Sequence, residues 1–411
     1  MTVIVNIIEG VIKECYNKVV IQKIQPEACL LCGGRAFDPI FAAKGFPLLI
    51  GAVPAGHQVP EHPLTIKACR TCMLVQQVSR VAPETVDEIY TADYYSCPSP
   101  LVTGMGSGVI DNFVGFFRNC GLKPGELLEI ACFDGYLLLK LADLGWSVYG
   151  CDPANQAKIA IANLGQDRVS REFFTEGTYA SERFDAIVVR NLLEHIYDLH
   201  GFLTAVAGTL KVGGMLLIDV PNVHTTLELG VFGSFFHQHI SYFSKATLER
   251  LLRENGFIPE HWLTDPTLMV CARKSGVKPT QAESEATVHD RELVASFAKS
   301  SEAHRRLLLD AFAEPRMRSA ALFGASALST TIVSLLDEAG RGKLNAIYDN
   351  DSQKHGKIIH GCSVAIAAPT KESLRGIDTL LITSYQFENE IRAQLGNLGF
   401  DHARIKPLFS R

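Results

Sequence analysis

The stretch ELLEIACFDGYLLLKLADLGWSVYGCDPA, which starts at Glu126, restricts the fold more than any other part of this chain. Residues 127–131 are a short apolar run bounded by turn signals, residues 136–144 are dense in leucine and of helical length, and residues 148–150 return to strand chemistry before Asp152 and Pro153. Strand, helix and strand in that order predict a βαβ unit, whose parallel strands are buried under helices. Ligands on such sheets bind beyond the carboxyl ends of the strands, so the loop 129–135 and Asp152 are expected at one edge. Gly135 permits a tight turn there. Asp152 is placed to accept hydrogen bonds from a ribose diol. A dinucleotide fingerprint is poor, because its second and third glycines are missing. A βα turn without a ligand is the plainer alternative.

The following segments extend the pattern. FDAIVVRNLLEH predicts a strand over 186–189 running into Asn191 and a helix, and LKVGGMLLIDVPN predicts a turn at Gly213 and Gly214 and a strand to Val220. The loop after VVRN brings Asn191, Glu194 and His195 to the same edge as Asp152. This edge resembles the first motif of S-adenosylmethionine-dependent methyltransferases, with Glu129, Ala131, Cys132, Asp134, Gly135, Asp152, Pro153 and Asn191 as cofactor-binding candidates.

Two CxxC pairs precede the sheet: Cys29 with Cys32 in CLLC, and Cys69 with Cys72 in CRTC. Two intervening residues let a tight turn aim both sulfurs at one ion, and four thiolates suit tetrahedral zinc. With no open coordination position the site is expected to be structural, worth on the order of 10 kcal/mol to a small lobe. A redox pair or buried free thiols are the competing readings. His57 and His62 lie between the pairs, where they could replace a cysteine ligand, and otherwise read as loop residues. The chain has 11 cysteines, an odd number, and no export signal at its apolar start, which Glu9, Lys13 and Glu14 interrupt. That favours thiols and metal ligands over disulfides and predicts a cytoplasmic protein.

FFHQHISYFS, residues 235–244, places His237 and His239 around Gln238. In a strand the two imidazoles share a face, and in a helix they point apart. Metal ligation, hydrogen bonding in a turn and proton transfer are all open to them.

At 411 residues the chain should hold two or three domains, and its formal charge of −5 argues against a sequence-independent grip on nucleic acid. No apolar run is long enough to span a bilayer. In the last third, residues 274–290 read as a linker, followed by a helix with Leu293, Val294, Phe297, Leu308 and Phe312 as core candidates. SAALFGASALSTTIVSLLDEAG, LNAIYDND and IDTLLITS then predict a second α/β unit. Its GASALST turn after Gly324 suits an anion at a helix start, with Asn350 and Asp351 at the same edge. NAD is a competing ligand, but the spaced glycines are absent.

Taken in order, CLLC…CRTC, DEIYTADYYS, LLEIACFDGYLL, NLLEHIYDL, LKVGGMLLIDVPN, HQHISYFS and IYDNDSQKHGKIIHGCSV resemble the C-methyltransferases of deoxysugar biosynthesis over nearly the whole chain. The resemblance implies an α/β chain of three parts: a zinc-binding lobe over 1–90, a Rossmann-like class I methyltransferase domain over 91–275, and a Rossmann-like substrate-binding domain over 276–411. It implies S-adenosylmethionine and structural zinc as cofactors and a small-molecule acceptor, a nucleotide-linked 4-ketosugar, with no nucleic-acid or membrane partner. The C-terminal domain would close over the central one and help hold the nucleotide. A base would remove the proton beside the ketone, and the enolate carbon would attack the methyl group. His239 and His195 match family histidines, and the family's active-site tyrosine falls at Tyr94 or Tyr95. The family's tyrosine and glutamate are replaced by Phe236 and Gln238, which puts acid–base work on histidine and leaves Gln238 and His237 as supporting site residues. O- or N-methylation of another intermediate, or binding without turnover, are the alternatives those two departures suggest.

Overall fold

The computed structural model describes residues 28–57, 59–91, 99–104, 106–275, 286–314, 316–384, 387–406 and 408. The N-terminal lobe holds β1 (Phe37–Pro47), β2 (Ala52–Val53), β3 (Glu61–Cys69) and β4 (Val75–Gln77). In β3 every second residue, His62, Leu64, Ile66 and Ala68, is buried, the period expected when one face of a sheet is covered. β1 and β4 flank β3, both antiparallel to it.

The central sheet contains β5 (Glu126–Ile130), β6 (Ser147–Cys151), β7 (Val169–Ser170), β8 (Phe184–Arg190) and β9 (Leu210–Pro221). These five pair in parallel in the spatial order β9-β8-β5-β6-β7. β8 is buried through Ala186–Val189 without alternation, because helices cover both of its faces. The chain moves outward from β5 to β7 and then returns to β8 on the other side of β5. That reversal opens a crevice at the carboxyl ends of β5 and β8.

A short strand, β10 (Ser241–Tyr242), leaves this domain and pairs antiparallel with β4, completing the lobe sheet. β11 (Phe257–Leu263) and β12 (Thr267–Lys274) then close the central sheet, with β12 antiparallel to β9. Helix Lys245–Glu254 begins in a capping box built from Ser244 and Thr247, which fixes the end of the histidine stretch.

Helix Ala286–Ala313 starts inside the segment read as linker, and Leu293, Val294, Phe297, Leu308 and Phe312 are buried along it. The C-terminal sheet is all parallel, in the order β16-β14-β13-β17-β18, from β13 (Ala320–Phe323), β14 (Leu344–Tyr348), β16 (Ile366–Ala367), β17 (Thr379–Ile382) and β18 (Ile405–Lys406). Between β14 and β16, β15 (Ile358–Ile359) pairs with β2 and joins this domain to the lobe. Among the described residues no helix is long and apolar enough to cross a membrane.

Candidate active site

The loop after β5 is held in an unusual shape. Ala131 and Phe133 adopt positive φ, at 63° and 50°, which side chains tolerate only when neighbours enforce it. Asp152 supplies part of that force, accepting hydrogen bonds from the backbone of Phe133 at 2.9 Å and of Ala154 at 2.8 Å. Asp134 supplies the rest, with its carboxylate accepting from Ser99 Oγ at 2.6 Å, Leu101 N at 3.0 Å and Tyr136 N at 3.0 Å. Gly135 has φ 80°, and a Cβ there would lie 2.8 Å from the Cβ of Ala160, so only glycine lets the next helix pack this closely.

The crevice is a cavity of about 610 Å³, within the usual range for small-molecule sites. Glu129, Ala131, Cys132, Asp134, Asp152, Pro153 and Asn191 line it, as do His195 and Phe387 of the C-terminal domain. Gly135 shapes the wall without lining it. Cys132 packs its sulfur where a Cβ on Gly150 would be 2.7 Å away, so its bulk is absorbed by a glycine on the neighbouring strand.

The cavity suits a cation. Glu129 is 4% exposed, and burial raises its carboxyl to about 8, with Arg190 opposing that rise. Arg190 is held by Asp219 at 3.1 Å. Glu129 Oε2 has no hydrogen-bond partner among the described residues. Burial also raises Asp152, whose oxygens keep lone pairs for further donors. An unpartnered carboxyl and a strand-end acid fit the ammonium and ribose of S-adenosylmethionine. Arg190 was not singled out in the sequence, although a cation closing an apolar strand was a visible signal.

His195 ends a turn of 3-10 helix, Leu193–His195, beside the cavity. Its Nδ1 lies 2.8 Å from the carbonyl of Gln238, so Nδ1–H donates and the lone pair of the neutral ring sits on Nε2. The His195 and His239 rings meet edge to face at 4.8 Å between centroids, and Phe236 lies 4.0 Å from the His239 ring on another side. Burial lowers His195 to about 4 and holds His239 well below the usual imidazole range. Glu194 is buried beside them and raised by that burial to about 8.

Residues 236–239 form neither strand nor helix but a turn, closed by the His239 N–H to the Phe236 carbonyl at 3.1 Å. The turn sends the two histidines apart. His237 Nε2 faces the carbonyls of Phe46 at 3.1 Å and His62 at 3.2 Å, which places His237 in the lobe contact, away from the cavity. Gln238 is buried with its Oε1 unpartnered among the described residues, and it too lies outside the cavity lining. Tyr94 and Tyr95 lie outside the described residues.

The four sulfurs of Cys29, Cys32, Cys69 and Cys72 lie within 4.8 Å of one another, with Cys29–Cys72 at 3.5 Å and Cys32–Cys69 at 3.6 Å. A tetrahedron with Zn–S of about 2.3 Å has edges of about 3.8 Å, so the set fits zinc. A Cβ on Gly34 would be 3.3 Å from the sulfurs of both Cys32 and Cys69, which accounts for the second glycine after CLLC. His57 and His62 are not in the cluster.

At the predicted anion site of the C-terminal domain, the protein itself takes up the first backbone N–H after Gly324. The Ala325 N–H donates to Asp349 at 2.8 Å, and Lys354 Nζ donates to the same carboxylate oxygen at 2.9 Å. Asn350 pairs with Gln394, and Asp351 caps Gln353 at 2.9 Å. The turn after β13 therefore spends the Ala325 N–H on a side chain of β14's loop rather than presenting it to a phosphate.

Residues 109–261 match the family described as "Methyltransferase domain", and residues 272–404 match the "C-methyltransferase C-terminal domain". The chain is 23% identical over 390 residues to C-methyltransferase NovU of Streptomyces niveus, covering 89% of this chain and 91% of that one. It is 32% identical over 152 residues to the mitochondrial ubiquinone biosynthesis O-methyltransferase of Homo sapiens, covering 32% and 41% of the two chains. Among solved structures, 1,6-didemethyltoxoflavin-N1-methyltransferase of Burkholderia thailandensis aligns with a TM-score of 0.39 at 17% identity, over 52% of this chain and 96% of that one. The chain is an S-adenosylmethionine-dependent methyltransferase in which a segment similar to a methyltransferase domain is followed by one similar to a C-methyltransferase C-terminal domain.

Proposed function

We propose that this enzyme methylates a carbon beside a carbonyl group of a small polar acceptor, and that the acceptor is a nucleotide-linked 4-ketosugar. The observation that carries the reading is His195, which lines the cavity of the cofactor motif and meets the ring of His239, itself outside that lining, at 4.8 Å. S-adenosylmethionine, when bound, supplies an electrophilic methyl group. The chain supplies the base. A neutral imidazole facing the acceptor removes the proton next to the carbonyl and leaves an enolate carbon as nucleophile, a contribution of about 10²- to 10⁴-fold for a positioned base. Low histidine pKa values keep both rings unprotonated near neutrality. Burial leaves Glu194 protonated there as well, so it does not draw a proton onto His195.

Similarity to NovU over most of both chains supports carbon as the accepting atom. Phe236 and Gln238, which replace the tyrosine and glutamate of the resembled family, support a second reading, in which the new bond is to oxygen or nitrogen. Glu129, Asp152 and Asn191 hold the donor in this proposal, Asp134 and Gly135 shape its loop, and the four cysteines hold a structural zinc ion that ties the lobe together.

The test is turnover with a deuterated-methyl donor and a nucleotide-linked 4-keto-deoxysugar, followed by mass spectrometry and NMR of the product. A labelled methyl bonded to the carbon next to the ketone is the expected result. A methyl on oxygen or nitrogen would select the second reading, and no product would remove the sugar from the proposal.

A further inference from the structure

Two consecutive glutamines of the lobe hold features that lie far away in sequence. Gln77, the last residue of β4, is fully buried. Its Nε2 lies 3.3 Å from each of three carbonyl oxygens, those of Phe236, His237 and His239. An amide NH2 has two protons, so these three acceptors share one donor group at the centre of the histidine turn. The Gln77 backbone N–H also donates to the Ile240 carbonyl at 2.9 Å, and the Ile240 N–H donates to the Glu194 carbonyl at 2.7 Å. One residue of the lobe therefore touches the turn that carries His239 and, through Ile240, the turn that carries His195.

Gln76 reaches the thiolate knuckle. Its Oε1 accepts from Leu30 N at 2.9 Å, and its Nε2 donates to the Ala28 carbonyl at 3.5 Å. Leu30 stands between Cys29 and Cys32. Ser241, two residues after His239, is the direct β-partner of Gln76. A strand of three residues thus links the four cysteines to the His239 turn.

The energetics favour a positioning role. A buried carbonyl that loses its donor is destabilised, and here the His237 and His239 carbonyls have this one amide as donor, while the Phe236 carbonyl also accepts from the His239 N–H. The turn would relax to find other donors and carry His239 with it. A displacement of about 1 Å at a reacting group can cost about 100-fold in rate.

We propose that Gln77 is the positioning residue for His239, and that the Gln76–Gln77 pair makes the cysteine knuckle a support of the acceptor site. The rate consequence rests on His239 taking part in proton removal; the positioning itself does not. Gln77→Glu is the sharpest variant, because it keeps the shape and leaves at most one donor, the proton of a neutral carboxyl, where the NH2 had two. Full-length, zinc-loaded protein with ring-labelled histidine is compared with wild type by kcat, KM, S-adenosylhomocysteine affinity and the NMR resonances of His239, assigned by its loss in His239→Ala. The expected result is a kcat lower by about 10- to 100-fold, S-adenosylhomocysteine affinity within about twofold, unchanged zinc content and a displaced His239 resonance. Gln77→Met, which lacks a donor but carries no charge, should show the same pattern and replaces the first variant if that one does not fold. Unchanged kcat and an unmoved His239 resonance would overturn the proposal, and so would parallel loss of kcat and donor affinity in both variants. If His239→Ala leaves turnover intact while Gln77→Glu still displaces the resonance, the proton-removal reading fails and the positioning stands. Gln76→Met, with all four cysteines in place, should also displace the His239 resonance. An unmoved resonance there would overturn the link to the knuckle.

Discussion

At the end of β6, Asp152 accepts hydrogen bonds from Phe133 N at 2.9 Å and Ala154 N at 2.8 Å. At the end of β14, Asp349 accepts them from Ala325 N at 2.8 Å and Asp351 N at 2.8 Å. Both α/β units thus pin the loop of one strand to an acid at the end of its parallel neighbour, and the same acid turns its own chain two residues on. They differ in what the acid meets next. Lys354 lies 2.9 Å from Asp349 and neutralises it, whereas Asp152 has backbone hydrogen bonds and burial as its influences and opens onto the cavity. A βαβ unit provides an edge; whether the edge becomes a site depends on whether its polar groups have already been satisfied from within.

The largest effect expected from breaking this contrast is on the central edge. His239→Ala should lower turnover by about 10²- to 10⁴-fold while S-adenosylhomocysteine affinity stays within about twofold, measured by steady-state kinetics and calorimetry. Equal loss of both would mean that the histidine turn serves the donor site rather than the acceptor.

On the C-terminal edge the expected effect is on stability. Lys354→Met leaves the Asp349 carboxylate buried without its cation, and should lower the unfolding free energy by about 1–3 kcal/mol with donor affinity unchanged, read by denaturant titration. A change in donor affinity would show that the two edges are not separate in function.

Smaller effects come from pH. Glu129 is raised to about 8, so in the free enzyme it is mostly protonated at pH 7 and gains a charge as pH rises through 8. The sulfonium donor should bind up to about tenfold more tightly at pH 8.5 than at 6.5, and Glu129→Gln should flatten that slope. Stability of the free enzyme should run the other way. A carboxyl whose folded pKa is raised contributes stability that is complete below its unfolded value of 4.5 and is lost as pH rises through 8, so the thermal midpoint should fall over that range unless the donor is present. For His195, lowered to about 4, the acid limb of kcat/KM should lie well below 6.5. A limb at ordinary imidazole pH would indicate a solvated base elsewhere.

Much of the central edge was legible because its signals are local. The apolar runs, Gly135 and Asp152 lie within one βαβ stretch, and burial of β8 on both faces appears as an unbroken apolar run. The cysteine quartet was legible for the same reason, since each CxxC pair is its own knuckle. The histidine turn was not. Whether His237 and His239 share a face depends on backbone shape, and the turn is set by Gln77, some 160 positions earlier in the chain. Nor does GASALST show that Asp349 will claim the Ala325 N–H, because that contact forms only after two strands pair in parallel.

The most direct measurement is calorimetric titration of S-adenosylhomocysteine into wild type, Asp152→Asn and Asp349→Asn. The asymmetry between the two edges predicts a loss of affinity of about tenfold or more for Asp152→Asn and none for Asp349→Asn. Equal affinities for all three proteins, or a loss confined to Asp349→Asn, would contradict it.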